Sequence, residues 1–246
     1  MLEVADTVDH VSTIVEEENE ERLKSETERR DSMIIEITEK SSSKDLTAVT
    51  LLFMSCGYES ITETLVSAVY FLSKNPKAQE KLMKEIDENS HAELSYDSLT
   101  KLRYLDAVVR ETLRLYPPIS RLERECVTDY KIGDVTIPKG MKIYVPIYAL
   151  QRDADYYEQP EAFDPDRFLT EDGRNSDSDY LNFNTEESEK PFYPFGNGPR
   201  FCVGMHFSLF VTKLCLFKVY KNFQFRPTSN ANVSNYFYFS INWGFF

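Results

Sequence analysis

Cys202 stands in surroundings suited to making one sulfur a ligand. It lies in Pro194–Met205, PFGNGPRFCVGM, where Phe195, Gly196 and Gly198 form a glycine-rich bend ahead of it, Arg200 precedes it by two positions and Gly204 follows it by two. The apolar run Met205–Phe223 comes next and predicts a helix. A cysteine at a helix N-terminus meets free backbone N–H groups and the positive end of the helix dipole, and both favour thiolate over thiol. A thiolate is a soft anionic metal ligand. The glycines let the backbone approach a flat ligand closely, and Arg200 presents a positive fork suited to a carboxylate. For a single cysteine taken alone, a buried inert thiol in a Gly/Pro turn is the plainer alternative.

Two further constellations carry polar groups at suggestive spacing. Glu59 and Ser60 are adjacent in a largely apolar stretch, and Phe53, Cys56, Gly57, Ser60 and Thr64 share one helical face. Taken alone, these two read as a carboxylate on the solvated side and a serine bonded back to its own helix. Glu111 and Arg114 form an E-x-x-R pair, locally an ordinary i,i+3 ion pair worth ~0.3 kcal/mol. Arg167 follows later, in AFDPDRF.

The elements that must position these residues are mostly helical. Asp45–Ser73 predicts a long helix that Asp45 can cap and Asn75–Pro76 ends. Pro76–Ser90 predicts a second, amphipathic helix, and Leu99–Leu115 a third, stopped by Pro117–Pro118. Tyr130–Ile137 and Met141–Val145 alternate and are β-rich, with turns at Gly133–Asp134 and Pro138–Gly140. Met1–Lys44 is a charged, helix-prone lead-in with a short apolar patch at Met33–Ile37, and Glu171–Lys190 reads as an acidic surface loop. Phe223–Phe246 predicts short alternating β structure. Lys213, Lys218 and Lys221 fall within one arc of the helix after Cys202, either a face that receives an electron donor or a solvated stripe.

Composition bounds the function. The chain has 246 residues and a net charge of −13, which argues against a nucleic-acid partner. Cys56, Cys126, Cys202 and Cys215 are irregularly spaced and give neither a zinc pattern nor a disulfide framework, so a reducing compartment is the default. His10, His91 and His206 are too far apart for metal-ligand spacing. No apolar run approaches the ~20 residues of a membrane span, so the chain as it stands reads as soluble.

The pattern F-x-x-G-x-R-x-C-x-G, present as Phe195, Gly198, Arg200, Cys202 and Gly204, resembles the haem-binding signature of the cytochrome P450 family. The resemblance implies that Cys202 is the axial ligand of haem b, with Phe195, Gly198, Arg200 and Gly204 around the cofactor and Arg200 on a propionate. It is closest to the microsomal drug- and toxin-oxidising branch, where the second arginine of RLER reaches a propionate; here that residue is Arg124. On the family's central helix, a small residue, Gly, any residue, an acid and Thr stand above the haem. This window reads Cys56, Gly57, Tyr58, Glu59, Ser60, with Cys for the usual Ala and Ser for the usual Thr. Glu59 and Ser60 are then the catalytic proton relay, looser for the lost methyl group. Glu111, Arg114 and Arg167 become one scaffold unit. Gln151, in ALQRD, replaces a histidine common in that branch, so one polar contact should differ.

The fold implied is mainly α with a small β sheet, the C-terminal portion of the cytochrome P450 fold. Residues 1–246 form one partial domain, with 1–44 as lead-in and 45–246 as the haem-side core. The match is expected from about Met33 onward and covers only the C-terminal half of a family member, without the N-terminal anchor, the first strands and the helices over the other face of the haem. The function implied is a monooxygenase that inserts one oxygen atom of O2 into a small lipophilic substrate. Electrons would come from NADPH through a separate flavoprotein reductase, at the endoplasmic reticulum membrane. Ile119, Ser120 and the face of Phe53 and Cys56 would touch substrate. The alternative is a non-catalytic remnant that binds haem weakly or not at all; a helical interaction module without haem is a third reading.

Overall fold

The computed structural model describes residues 42–90, 94–169 and 190–227. The expected lead-in with its Met33–Ile37 patch, the acidic loop up to residue 189 and the tail from residue 228 onward lie outside these described residues. Two compact units divide the chain, Met1–Cys56 and Gly57–Phe246.

Helix α1, Ser43–Lys74, runs across that division. Its start is reciprocal: the Asp45 carboxylate accepts the Ser42 N–H at 3.0 Å, and the Ser42 hydroxyl accepts the Asp45 N–H at 3.2 Å. Ser42 is therefore the cap and Asp45 its partner three residues on, two otherwise orphaned donors satisfied at once. The Ser42 hydroxyl also donates to the Asp45 carboxylate at 2.6 Å, and that bond together with the Ser42 N–H holds the Asp45 carboxyl below its usual pKa. Asn75 ends the helix, and Pro76 opens α2, Pro76–Glu88, where its missing N–H costs nothing. The predicted single helix over Leu99–Leu115 is two: α3, Tyr96–Thr100, started by a Ser95/Ser98 capping box, and α4, Arg103–Leu115. Leu102, extended at φ −78° and ψ 97°, makes the break.

α4 is the centre of the second unit. Every residue from Tyr104 to Leu115 is buried. A buried helix cannot leave its terminal backbone groups to water, and other elements satisfy them here. At the N-terminal end, the Glu85 carboxylate of α2 accepts the N–H groups of Tyr104 and Leu105, both at 2.8 Å. Burial raises the Glu85 pKa despite those two bonds. At the C-terminal end, the Thr112 carbonyl accepts the Tyr116 N–H at 2.8 Å. The Gln151 side chain donates to the Leu113 and Arg114 carbonyls at 3.1 and 3.0 Å. The Arg152 guanidinium donates to the Leu115 carbonyl at 3.2 and 2.8 Å. All four terminal carbonyls are thus occupied.

The core packs around α4. Ala68 and Leu72 of α1, Leu82 and Ile86 of α2, Leu105, Val108 and Val109 of α4, and Leu209, Leu216 and Phe217 of the last helix form one apolar cluster. The predicted small sheet is present as two two-stranded antiparallel sheets. β1, Leu122–Glu125, pairs with β4, Lys142–Val145, in the register Leu122↔Val145 and Arg124↔Ile143. β2, Tyr130–Ile132, and β3, Val135–Ile137, form a hairpin around Gly133 at φ 57°. The hairpin is exposed at every position but Ile137, so it has no buried face to seat against the other pair. A short helix α5, Ile147–Leu150, follows β4. Pro165–Phe168 and Gly198–Arg200 are single 3-10 turns. α6, Met205–Tyr220, ends three residues before the expected limit at Phe223.

Candidate functional site

The cysteine segment is a loop closed on itself. Gly196 and Gly198 both adopt left-handed backbone, φ 75° and 76°, which only glycine takes without strain. The Gly196 N–H donates to Tyr193 O at 3.0 Å, and the Asn197 side chain accepts the Gly198 N–H at 2.7 Å. The Phe201 N–H donates to Gly198 O at 3.1 Å, and the Cys202 N–H returns to Phe195 O at 2.8 Å, closing the loop. Cys202 lies ahead of α6 rather than within its first turn: its carbonyl accepts the Met205 N–H at 3.3 Å, and Gly204 is the residue before the helix. The thiol is exposed, as is Arg200, and Cys202 is flanked by Phe201, 51% exposed, and Val203, 77% exposed. A Cβ on Gly204 would stand 3.9 Å from the Cys202 Sγ, so glycine keeps that side of the sulfur open.

The β1 strand lies against this loop. A Cβ on Gly196 would meet the Leu122 Cδ2 at 3.7 Å. Leu122 and Arg124 are the two half-buried residues of β1, alternating with exposed Glu123 and Glu125. Arg124 therefore shares the face of the residue that touches the loop. Its guanidinium donates to the Glu123 carbonyl at 2.8 Å. On the opposite face, Glu123 pairs with Lys142 at 2.7 Å, and that contact holds the Glu123 carboxyl below its ordinary pKa.

Glu59 and Ser60 sit near the middle of α1. Glu59 is exposed, Ser60 is half-buried, and Ile61 begins the part of the helix that enters the core. The Ser60 carbonyl accepts a second bond, from the Thr64 hydroxyl at 2.8 Å. Phe53 and Cys56, read as substrate contacts, are exposed, as is Ile119, while Ser120 is half-buried and its carbonyl holds the Tyr148 N–H at 3.0 Å.

Glu111, Arg114 and Arg167 do form one unit. The Arg114 guanidinium grips Glu111 with two bonds, 2.6 and 2.9 Å, and donates to the carbonyls of Gln151, Pro160 and Ala162 at 2.8, 2.8 and 3.1 Å. That employs all five guanidinium N–H donors. Glu111 also accepts Arg167 at 3.0 Å and the Asp164 N–H at 2.8 Å. Arg114 further lies over the Tyr157 ring, 5.0 Å from its centroid, and burial raises the Tyr157 pKa. Two ties run from here to the cysteine segment: the Tyr157 hydroxyl donates to Pro191 O at 3.0 Å, and the Gln151 side-chain oxygen accepts the Tyr193 N–H at 2.9 Å.

A second buried charge group joins α4 to α6. Lys213 of α6 is fully buried and bonded to Asp106 of α4, whose other oxygen accepts Arg110 Nε at 2.7 Å. Burial pushes the Lys213 pKa down to about 8. The expected lysine arc is corrected accordingly. Lys213 faces the core and not a partner, Lys218 is exposed, and Lys221 donates to Ser90 O at 3.0 Å. The signal was present in the sequence: Lys213 falls on the helical stripe of Leu209, Leu216, Phe217 and Tyr220, all buried.

Among the described residues, no group of three or more His, Cys, Asp or Glu could hold a metal ion. No helix of the described residues is long and apolar enough to cross a membrane.

Comparison with known proteins agrees with the motif. The family model for cytochrome P450 matches residues 2–240, well upstream of the expected start of the match near Met33. Cytochrome P450 3A9 of Rattus norvegicus is 38% identical over 241 residues, covering 93% of this chain and 46% of the relative. Cytochrome P450 3A16 of Mus musculus is 37% identical, with the same coverage. Cytochrome P450 3A5 of Homo sapiens is 40% identical over 194 residues, 78% of this chain and 36% of the relative. The chain spans about half the length of the first two of these relatives. A glycine loop presenting an exposed thiol, an E-x-x-R clamp tied to that loop, and a family match over nearly the whole sequence lead to one conclusion: the chain belongs to the cytochrome P450 family.

Proposed function

We propose that this chain contributes the thiolate side of a haem-dependent monooxygenase, in which one atom of O2 enters a small lipophilic substrate and the other leaves as water. Two electrons and two protons balance that reaction, the electrons coming from NADPH through a separate flavoprotein reductase. The observation that carries the reading is Cys202, exposed at the end of a backbone-closed glycine loop and flanked by exposed Phe201 and Val203. An exposed thiol bordered by apolar side chains suits a flat, largely apolar macrocycle better than a small hydrated ligand.

Cys202 would ligate the iron of haem b, whose chemistry when bound is oxygen activation, favoured by a thiolate ligand. Arg200 is exposed, and Arg124 is bonded only to a backbone carbonyl among the contacts described, so both guanidinium groups suit propionates. Phe195, Gly198 and Gly204 would shape the loop against the macrocycle. On α1, the Ser60 hydroxyl would pass a proton inward, and exposed Glu59 would replace it from solvent. Residues 1–44 would be the lead-in and 45–246 the haem-side core of one partial domain. The full-length protein would act at the endoplasmic reticulum membrane.

A difference spectrum of the reduced chain with carbon monoxide, after reconstitution with haem, tests the reading. A thiolate-type Soret band supports it. No haem uptake overturns it for this chain and leaves the non-catalytic remnant.

A further inference from the structure

We infer that Gln151 is a positioning residue for the cysteine loop: one neutral side chain that caps the end of α4 with its amide nitrogen and holds the loop backbone with its amide oxygen. Gln151 is fully buried. Its Nε2 donates to the Leu113 and Arg114 carbonyls at 3.1 and 3.0 Å, and its Oε1 accepts the Tyr193 N–H at 2.9 Å. Its own carbonyl accepts Arg114 at 2.8 Å, so the backbone of Gln151 is tied to the E-x-x-R clamp by the arginine whose carbonyl the side chain caps.

The amide is suited to this double task. It has two donors and one oxygen acceptor, and all three functions are in use. A neutral imidazole offers one donor and one acceptor, and a carboxylate offers acceptors alone. Neither could meet two carbonyls and one N–H at once. Tyr193 is also the residue whose carbonyl accepts the Gly196 N–H, the first bond of the glycine bend. The Gln151 contact therefore sets where the loop begins, and the Phe195–Cys202 bond carries that placement to the sulfur. What this placement does for a metal rests on the proposed function above; the placement itself does not.

Two variants separate the halves of the amide. Gln151→Met keeps the volume and removes all three bonds. Gln151→Glu keeps an acceptor for Tyr193 and removes both donors. Amide hydrogen exchange in the haem-free chain is the first readout. Loss of one buried hydrogen bond should speed exchange at Tyr193 about tenfold in Gln151→Met, with the mid-α4 amides unchanged, while Gln151→Glu keeps Tyr193 protected. Unchanged exchange at Tyr193 in Gln151→Met, uniform acceleration over α4 and loop alike, or equal acceleration in both variants overturns the inference. If neither variant folds, the wild-type chain decides: the Tyr193 amide must exchange as slowly as those of α4, and fast exchange there overturns it. The second readout is the fraction of reconstituted chain with a thiolate-type carbon monoxide spectrum, lower in Gln151→Met than in Gln151→Glu. A wild-type chain that takes up no haem counts against the proposed function alone and leaves the exchange result standing.

Discussion

α4 and the cysteine loop are built on opposite terms. α4 is buried from Tyr104 to Leu115, and neighbouring elements occupy the backbone groups at both its ends, through Glu85 at one and Gln151 and Arg152 at the other. The cysteine loop is exposed from Asn197 to Val203, and beyond the Gln151 contact at its entry its order comes from its own backbone bonds and two left-handed glycines. A buried helix end has no water to fall back on, so each polar group must find a protein partner. An exposed loop has no such demand, and its side chains are left over for a ligand. Damage to α4 should therefore register as lost fold, and damage to the loop as lost ligation.

Arg114→Ala is the strongest test on the α4 side. It removes the two-bond grip on buried Glu111, leaving that carboxylate only Arg167 and the Asp164 N–H, and strips the carbonyls of Gln151, Pro160 and Ala162 of a donor, which should cost on the order of 3–5 kcal/mol. Chemical denaturation should show a collapsed midpoint or no folded chain at all. Wild-type stability would mean that Glu111 reaches water.

Lys213→Met should cost less, about 2 kcal/mol, because Asp106 keeps its bond to Arg110. Its pH dependence is the sharper observation. Burial holds Lys213 at about 8 against the ordinary 10.5, so the folded chain releases this proton before the unfolded chain does. Between those two values the unfolded state binds more protons, and stability from this group rises with pH. The penalty is fully present below about 8 and lifted above 10.5. The gap in denaturation midpoint between wild type and Lys213→Met should accordingly widen from pH 8 toward 10.5. A gap that narrows would reverse the assignment.

On the loop side, Gly196→Ala should cost about 1 kcal/mol, the strain of a Cβ in left-handed backbone. The new atom would be in ordinary contact with Leu122 at 3.7 Å, so crowding adds little. Calorimetry measures this, and a cost as large as that of Arg114→Ala would erase the contrast. Cys202→Ala should change stability by less than about 0.5 kcal/mol, because the side chain is exposed. It should nonetheless abolish any thiolate-type carbon monoxide spectrum. An unchanged spectrum would remove Cys202 from the site.

The helix limits of α1, α2 and α6 were readable within a few residues, because Asn75–Pro76 and the apolar run after Met205 are local signals. The break at Leu102 was not, because nothing in LTKLRYLDA forbids a continuous helix; α4 starts where a carboxylate from α2 accepts its first N–H groups. Lys213 reads as solvent-facing in the sequence for a related reason. Charge argued for solvent, and the apolar stripe it sits on was outweighed, although a buried counter-charge from a distant helix removes the objection.

The sequence alone determined the cysteine motif, the glycines of its bend, the E-x-x-R pair and the family, since each is carried by residue types at short, fixed spacing. Tertiary structure decided which charges are buried, how the ends of α4 are satisfied, and that Gln151 spans from that helix to the cysteine loop. Those outcomes depend on partners far away in the chain: Glu85 for Tyr104, Gln151 for Leu113, Asp106 for Lys213. A hydrogen bond between distant residues leaves no periodic trace along the chain, and it becomes visible when packing excludes water and the polar groups must pair with one another.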